Sequence, residues 1–237
     1  MAEPISLPRV LVVTGTSTDV GKTVATAALA VMLRLRGVTV AVVKPLQTGV
    51  TPDEDGDVAT VRRLVGADEG VATHELLRLL APLAPDTAAR LEGVSLPPVA
   101  THARAIAALA DQVDVVLVEG AGGLLVRLDD RGGTLADLGT ALRYKGTSVG
   151  FVLVASAALG TLNHAALTAE ALAARELPLV GVLVGSYPDE PGLAERTNLE
   201  ALPRVTGAPL LGCLPEGVSA LGASEFRTQV PRWLDIL

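Results

Sequence analysis

Gly15-Thr16-Ser17-Thr18-Asp19-Val20-Gly21-Lys22-Thr23 is the most informative segment of this chain. It follows the apolar run Val10-Leu11-Val12-Val13 and opens a run rich in Ala, Val and Leu from Val24 to Leu35. A β-branched run, a loop of glycine and threonine and then a helical pattern is the context that a phosphate-binding loop requires. The alternative is a glycine-rich turn between a strand and a helix, with Lys22 as a surface lysine.

The residue types in this loop suit the binding of a triphosphate. Glycines let backbone N–H groups face inward around an anion, and the free N–H groups of the following helix add positive potential. Lys22 can reach the β- and γ-phosphates, and the Thr23 hydroxyl is placed to ligate Mg²⁺. Five residues, rather than the usual four, separate Gly15 from Gly21, so Thr16 takes the usual place of the first glycine.

Composition and charge limit the classes of function. Hydrophobic residues make up 49% of the 237 residues and aromatic residues only 2%, so we expect an aliphatic core in a single domain. A formal net charge of −7 argues against non-specific binding to nucleic acid or to an anionic membrane surface. The single cysteine, Cys213, excludes an intramolecular disulfide and suits a reducing compartment. Without a long apolar stretch or a secretory signal, the sequence predicts a cytoplasmic protein with no membrane span.

Strand and helix patterns alternate along most of the chain. Nearly continuous apolar strands that alternate with helices are typical of a mostly parallel sheet with helices on both faces. The sequence therefore predicts a single-domain α/β fold of the P-loop NTPase type, with residues 1–8 as an N-terminal extension and residues 9–237 as the domain. Residues 66–100 and the segment after Pro215 carry no clear pattern. The expected strands are 10–13, 38–43, 113–119, 149–154, 180–184 and 209–214, and the expected helices are 21–36, 99–110, 134–143, 161–175 and 193–205.

Charged side chains stand where two of the predicted strands end. Lys44 follows the second strand, because Pro45 stops the ladder, and Glu119 ends the strand that begins at Val113. Ligands bind at the carboxyl ends of strands in open parallel sheets, and phosphate-loop proteins hold Mg²⁺ with a carboxylate at such a strand end. Asp57 begins a helical pattern and is a candidate N-cap. The alternative for Glu119 is a carboxylate that merely faces solvent.

Other catalytic constellations are missing from the sequence. His74, His102 and His164 are scattered without metal-ligand spacing, and no triad signature surrounds Cys213. What remains is a set of phosphate-binding amides, two lysines and hard oxygen atoms. These groups suit phosphoryl transfer or the ATP-driven activation of a carboxylate-like group.

The separate motifs together resemble the ATP-dependent dethiobiotin synthetase family. The similar segments are Val13-Thr14-Gly15-Thr16-x-Thr18-x-Val20-Gly21-Lys22-Thr23, including the extra residue of the loop, Lys44-Pro45-x-x-Thr48-Gly49, Val118-Glu119-Gly120-Ala121-Gly122-Gly123, Leu159-Gly160-Thr161-Leu162-Asn163-His164 and Pro209-Leu210-Leu211-Gly212-x-Leu214-Pro215. They follow the order of the family from about Arg9 to Pro215.

The resemblance implies an enzyme of biotin synthesis that forms a ureido ring on 7,8-diaminononanoate from CO₂, with ATP as co-substrate and Mg²⁺. In that reaction a substrate amine captures CO₂ as a carbamate, whose oxygen attacks the γ-phosphate. The second amine then closes the ring on the mixed anhydride and expels phosphate. Lys22 and Lys44 would neutralise charge on the phosphoryl group and the carbamate, and Thr48 would hydrogen-bond the carbamate or an amine.

The resemblance also implies three sets of ligand-binding residues. The Mg²⁺ ligands would be Thr23, Asp57 and Glu119. The substrate-binding residues would be Thr48, Gly160, Thr161, Leu162 and Asn163, and the helix that begins at Gly160 would come from the partner subunit of a homodimer. The nucleotide-binding residues would be Thr16, Asp19, Val20, Gly21, Lys22, Thr23, Val24, Asp57, Glu119, Gly120, Ala121, Gly122, Gly185, Ser186, Leu214 and Pro215.

Several alternatives stay open. Gly185-Ser186 stands where the family commonly has Asn-Asp to read the adenine edge, which leaves the base preference undecided. Asn163 and His164 can equally serve helix capping and packing. A partitioning ATPase of the same superfamily would share the loop, but would typically carry an extra lysine where this chain has Thr16 and Ser17. A cobyrinate-type amidoligase would also share the loop, but would normally need a glutaminase half.

Overall fold

Seven strands form one sheet, which the computed structural model describes within residues 7–235. In chain order the strands are β1 (Val10–Gly15), β2 (Val40–Lys44), β3 (Ala72–Glu75), β4 (Val115–Gly123), β5 (Val149–Ala155), β6 (Leu179–Tyr187) and β7 (Leu210–Pro215). Their order across the sheet is β3-β2-β4-β1-β5-β6-β7, and all neighbouring strands pair in parallel. The predicted α/β fold is therefore confirmed.

Helices cover both faces of this sheet. They are α1 (Lys22–Leu35), α2 (Asp57–Val65), α3 (Pro85–Glu92), α4 (Val99–Ala110), α5 (Leu135–Tyr144), α6 (Thr161–Ala173), α7 (Leu193–Thr206) and α8 (Ala223–Trp233). Leu11 and Val13 of β1 pack in one core cluster with α1, α2 and α8, whereas Val10 and Val12 pack in a second cluster with α3, α4 and α5. Successive side chains of β1 thus enter opposite layers, as expected for a strand buried on both faces.

Most predicted elements are present, with ends shifted by a few residues. Gly37 follows α1 with a φ of +78°, in the left-handed conformation predicted for a helix end. The strand expected over residues 38–43 begins instead at Val40 and includes Lys44. Just before it, the Asp114 carboxylate accepts hydrogen bonds from the backbone N–H and the hydroxyl of Thr39, at 2.8 and 2.6 Å.

The prediction that Asp57 caps α2 is wrong. Gly56 is the N-cap, with extended backbone dihedrals, and Asp57 is the first helical residue. The N–H group of Asp57 donates instead to the side-chain oxygen of Gln47, at 2.9 Å. A side chain remote in sequence therefore satisfies an N–H group of the first helical turn that would otherwise be left to solvent.

The segments without a clear sequence pattern contain real elements. Residues 66–100 hold β3, an edge strand whose side chains are only partly buried, and α3. The segment after Pro215 ends in α8, where Phe226 and Val230 join the core under α1 and α2. No helix within residues 7–235 is long and apolar enough to cross a membrane. The predicted boundary at residue 8 stays a prediction, because residues 1–6 lie outside the described residues.

Candidate active site

The loop between β1 and α1 contains contacts that only glycine permits. A Cβ atom on Gly15 would lie 2.7 Å from the carbonyl oxygen of Ser17 and 2.9 Å from a methyl carbon of Val20. Gly21 caps α1 with a φ of +87°, in the left-handed region that favours glycine. The Lys22 ammonium lies across the loop and donates to the carbonyl oxygen of Ser17 at 2.9 Å.

Lys44 is the cation at the centre of the site. It is the last residue of β2, and Glu119 lies beside it on β4, where Val118 pairs with Val43 of β2. The Lys44 ammonium donates to the Glu119 carboxylate at 2.9 Å and to the carbonyl oxygen of Gly120 at 3.2 Å. Only 4% of Lys44 is exposed, so the charge is held almost entirely by protein groups.

Asp57 completes this cluster from the first turn of α2. Its carboxylate forms an ion pair with the Lys44 ammonium. The Thr23 hydroxyl, from the first turn of α1, donates to the Glu119 carboxylate at 2.8 Å. Two helices and two strands thus bring four polar side chains together at the carboxyl ends of the strands, where open parallel sheets bind their ligands.

Burial and mutual charge set the protonation of the cluster. Burial raises the pKa of Glu119, whereas burial and the nearby Lys44 ammonium lower the pKa of Lys22. Burial also opposes the charged form of Lys44, but the carboxylates of Glu119 and Asp57 outweigh it and raise that pKa. In Asp57, burial is again outweighed, and the Lys44 ammonium lowers the pKa. Lys44 and Asp57 are therefore the firmly charged pair of the cluster.

The oxygen atoms of Thr23, Asp57 and Glu119 suit a hard cation. Mg²⁺ is usually bound by one or two carboxylates together with substrate phosphates and water. Within residues 7–235, no group of three or more His, Cys, Asp or Glu side chains is arranged to hold a metal ion. Two carboxylates and one hydroxyl therefore fit Mg²⁺ as part of a shell that a triphosphate and water would complete.

The cluster opens into a cleft of about 830 Å³, a size that suits a small-molecule substrate. The predicted site residues that line it are Asp19, Gly21, Lys22, Thr23, Val24, Lys44, Thr48, Asp57, Glu119, Ala121 and Gly122. The predicted site residues that lie outside its lining are Thr16, Val20, Gly120, Gly160, Thr161, Leu162, Asn163, Gly185, Ser186, Leu214 and Pro215.

Several lining residues escape prediction from the sequence. Thr18, Gln47, Gly49 and Val126 line the same cleft, as does the segment 82–85 that leads into α3. For Gly49 the signal was present, because it belongs to the motif that begins at Lys44, whereas Gln47 is an unspecified position of that motif. For the segment 82–85 the two prolines indicate only an irregular connection, so its place at the cleft could not be inferred.

The end of β6 lies beside the phosphate loop, and neither it nor the end of β7 lines the cleft. Gly185 contacts the loop so closely that a Cβ atom on Gly21 would lie 2.8 Å from the carbonyl carbon of Gly185. The next residue, Ser186, is exposed, whereas Leu214 is buried and Pro215 half-buried. Of these residues, Gly185 is a neighbour of the loop, and none of the four lines the cleft.

The start of α6 stands apart from the cleft of its own chain. Gly160 caps the helix with a φ of +97°, and no side chain caps its first turn. The Thr161 hydroxyl is buried and has no hydrogen-bond partner among residues 7–235. Leu159 beside it is 88% exposed, and Asn163 is exposed as well. The structure thus presents an uncapped helix start on an open, partly apolar surface.

Known proteins match this chain along most of its length. A family profile described as an AAA domain matches residues 9–220. The ATP-dependent dethiobiotin synthetase BioD of Rhodococcus jostii is 53% identical over 226 residues, which cover 95% of this chain and 94% of that protein. The protein of the same name from Saccharopolyspora erythraea is 58% identical over 213 residues, which cover 89% of each.

Solved structures match the fold at lower sequence identity. The cell division ATPase MinD of Pyrococcus furiosus has a TM-score of 0.58 at 18% identity, covering 95% of this chain and 98% of that one. A ParA family ATPase from Chlorobium tepidum has a TM-score of 0.57 at 15% identity, covering 96% and 93%. At such identities the likeness shows the phosphate-loop α/β fold alone.

Proposed function

The chain belongs to the ATP-dependent dethiobiotin synthetase family, and on that premise we propose that its cleft closes the ureido ring of dethiobiotin. The proposed substrates are 7,8-diaminononanoate, CO₂ and ATP, with Mg²⁺ as the metal. One observation carries the proposal. Lys44, Asp57 and Glu119 meet beside Lys22 and Thr23 of the phosphate loop, at one end of the sheet and in one cleft.

Thr23, Asp57 and Glu119 would hold the Mg²⁺, since Thr23 donates to Glu119 and both carboxylates contact the same Lys44 ammonium. Bound Mg²⁺ would neutralise charge on the triphosphate and orient it for in-line transfer. The protein supplies ionised ligands in a fixed geometry. Lys44 supports this state, because its ammonium keeps Asp57 deprotonated while no metal is present.

The two lysines would act at opposite ends of the transferring phosphoryl group. Lys22 would give up its hydrogen bond to the Ser17 carbonyl and would instead donate to the β- and γ-phosphate oxygens. Lys44 would stabilise the negative charge of the carbamate oxygen that attacks the γ-phosphate. Thr48, which lines the cleft, would hydrogen-bond the carbamate or an amine. Ring closure needs little further help, because the second amine is tethered at high effective molarity.

The nucleotide would lie along the phosphate loop and extend toward the ends of β6 and β7. Gly185 supports this placement, because its contact with Gly21 brings the end of β6 against the loop. The phosphates would be bound by Thr16, Asp19, Val20, Gly21, Val24 and the turn Gly120-Ala121-Gly122. The base would be flanked by Gly185, Ser186, Leu214 and Pro215.

We also propose a homodimer in which α6 of one subunit completes the cleft of the other. Free N–H groups at a helix start bind carboxylates, and the first turn of α6 has no side-chain cap. The buried Thr161 hydroxyl lacks a partner among residues 7–235, and the exposed Leu159 offers apolar surface for contact. Gly160, Leu162 and Asn163 would then bind the substrate carboxylate across a two-fold interface.

Mass analysis of the products tests the proposed function. The reaction would contain 7,8-diaminononanoate, ¹³C-labelled bicarbonate, Mg²⁺ and ATP. We expect a ring product that carries the labelled carbon, together with ADP and phosphate in equal amounts. Hydrolysis of ATP without a labelled ring product would contradict the proposal and would favour a switch ATPase of the same fold.

A further inference from the structure

Gln47 provides the hydrogen bond that fixes the start of α2. Its side-chain oxygen accepts from the backbone N–H of Asp57 at 2.9 Å, whereas the local N-cap, Gly56, offers no side chain. The Asp57 carboxylate therefore sits on a residue whose own backbone is held by the segment that follows β2, three residues beyond Lys44. When an N–H group at a helix start loses such an acceptor, it must hydrogen-bond to water, or the first turn must change its geometry.

Gln47 can serve as this anchor because it is itself immobilised. Only 4% of it is exposed. Its side-chain N–H group donates to the carbonyl oxygen of Thr48 at 3.2 Å. Its backbone N–H donates to the carbonyl oxygen of Leu77 at 2.9 Å, and its carbonyl oxygen accepts from the N–H of Leu79 at 2.8 Å. The segment after β2 is thus tied to the segment after β3.

Arg78 holds the loop that leads into α2. Its guanidinium forms a two-pronged ion pair with Glu75, at 2.6 and 2.8 Å. The remaining nitrogen donates to the carbonyl oxygens of Thr51 and Glu54, at 2.6 and 2.8 Å. A planar guanidinium makes such forked contacts, which a lysine cannot reproduce. The otherwise exposed acidic loop is thereby tied at two points.

Gly56 is where the two supports meet. A Cβ atom there would lie 2.8 Å from a carboxylate oxygen of Glu75, 3.0 Å from a guanidinium nitrogen of Arg78 and 3.0 Å from the side-chain oxygen of Gln47. The residue before Asp57 is therefore packed against all three side chains. Its position leaves little freedom for the first turn of α2.

We propose that Gln47, supported by the Arg78–Glu75 pair, is a positioning residue that sets the Asp57 carboxylate for Mg²⁺. The inference rests on the proposed function, in which Asp57 is a metal ligand. Outer groups that orient a metal ligand typically account for about 10- to 100-fold in metal affinity. Neither Gln47 nor Arg78 would touch the metal, so both would act through Asp57 alone.

Titration with Mn²⁺, followed by electron paramagnetic resonance, measures the proposed effect. The full-length protein would be saturated with a non-hydrolysable ATP analogue, so that the readout does not depend on turnover. We expect Gln47→Met and Arg78→Met to weaken Mn²⁺ binding about 10-fold or more. Binding of the analogue without metal should change less than about twofold in Arg78→Met, because Arg78 does not line the cleft. Arg62→Met is the matched control, since Arg62 is an exposed arginine in the last turn of the same helix.

Asp57→Asn separates this inference from the function on which it rests. If Asp57→Asn leaves the Mn²⁺ affinity unchanged, Asp57 is not a ligand and the proposed metal site is wrong. If Asp57→Asn weakens Mn²⁺ binding while Gln47→Met and Arg78→Met match Arg62→Met, the positioning role is wrong. Should Gln47→Met fail to fold, Arg78→Met alone decides, because Arg78 is half-buried and lies outside the core clusters.

Discussion

Lys44 is the side chain on which the proposed chemistry depends most. It contacts both carboxylates of the candidate metal site, and its burial leaves those carboxylates as its counter-ions. Mg²⁺ held by Asp57 and Glu119 would neutralise their charge and would leave the Lys44 ammonium available for new negative charge. A carbamate oxygen that attacks phosphorus develops such charge, and a buried cation acts on it more strongly than in water.

Replacing each lysine should therefore affect different kinetic constants. Lys44→Ala should lower kcat by about 10²–10³ with a smaller effect on KM for ATP, because its partner charge appears in the transition state. Lys22→Ala should impair both nucleotide binding and turnover. Steady-state kinetics with ATP as the varied substrate distinguishes the two patterns. Lys145→Ala, at an exposed lysine after α5, is the control. A Lys44→Ala enzyme with nearly normal kcat would show that Lys44 does not face the carbamate.

The proposed base site has Gly185-Ser186 and therefore no side-chain amide that could make two hydrogen bonds to an edge of the base. A site without a hydrogen-bonding partner for one base leaves no buried group unpaired when another base binds, so it cannot reject that base strongly. We expect CTP or GTP to support turnover within about two orders of magnitude of ATP. Competition kinetics measures this ratio. Discrimination of about 10⁴ or more would mean that backbone groups near Cys213-Leu214-Pro215 read the base instead.

The buried strands could be predicted from the sequence, whereas the edge strand and the connections that complete the site could not. β1, β4 and β5 are buried on both faces and therefore consist of nearly uninterrupted apolar residues. β3 is an edge strand with polar side chains, so nothing in its composition separates it from a loop. For this reason neither the cleft wall at residues 82–85 nor the contacts of Arg78 with the loop before α2 could be inferred.

The start of α2 shows a second limit of sequence reasoning. Asp57 is a strong N-cap by residue type, but the helix begins one residue earlier, with Gly56 as the N-cap, and Gln47, ten positions before Asp57, accepts from the Asp57 N–H. In contrast, Thr134 does cap α5 in a reciprocal arrangement with Asp137, a signal that is local in sequence. Local caps can be predicted, whereas caps supplied by tertiary contacts cannot.

The contact between β6 and the phosphate loop gives a test of how elements fit together. A Cβ atom on Gly185 would overlap the carbonyl oxygen of Val20 and lie 2.6 Å from a methyl carbon of Val154. Overpacking typically lowers the free energy of unfolding by about 1–3 kcal/mol, and here the backbone of the loop must also move to make room. We expect Gly185→Ala to weaken nucleotide binding about 10-fold or more, as measured by calorimetry. Gly222→Ala should be neutral, because nothing lies within 4 Å of the added methyl group. Equal affinities in the two variants would show that the contact does not shape the loop.

In the proposed dimer, residues of both subunits form each cleft. Lys44 would come from one subunit and the start of α6 from the other. Mixing an inactive Lys44→Ala chain with an inactive Asn163→Asp chain should then restore activity, because each mixed dimer has one site with both defects and one with neither. With random exchange about half of the dimers are mixed, so recovery should approach about a quarter of wild-type activity. Native mass spectrometry of tagged chains confirms the exchange. Confirmed mixed dimers without turnover would place the whole site within one chain.

Following oxygen from CO₂ into phosphate tests the central chemistry most directly. If a carbamate oxygen attacks the γ-phosphate and phosphate then leaves with that oxygen, each turnover moves one CO₂ oxygen onto phosphorus. With C¹⁸O₂, in a turnover faster than the exchange of CO₂ with water, ³¹P NMR should show phosphate that carries one ¹⁸O. The ring product should keep the second ¹⁸O in its carbonyl group. A labelled ring product accompanied by unlabelled phosphate would show that CO₂ oxygen never bonds to phosphorus, and the proposed use of ATP would be wrong.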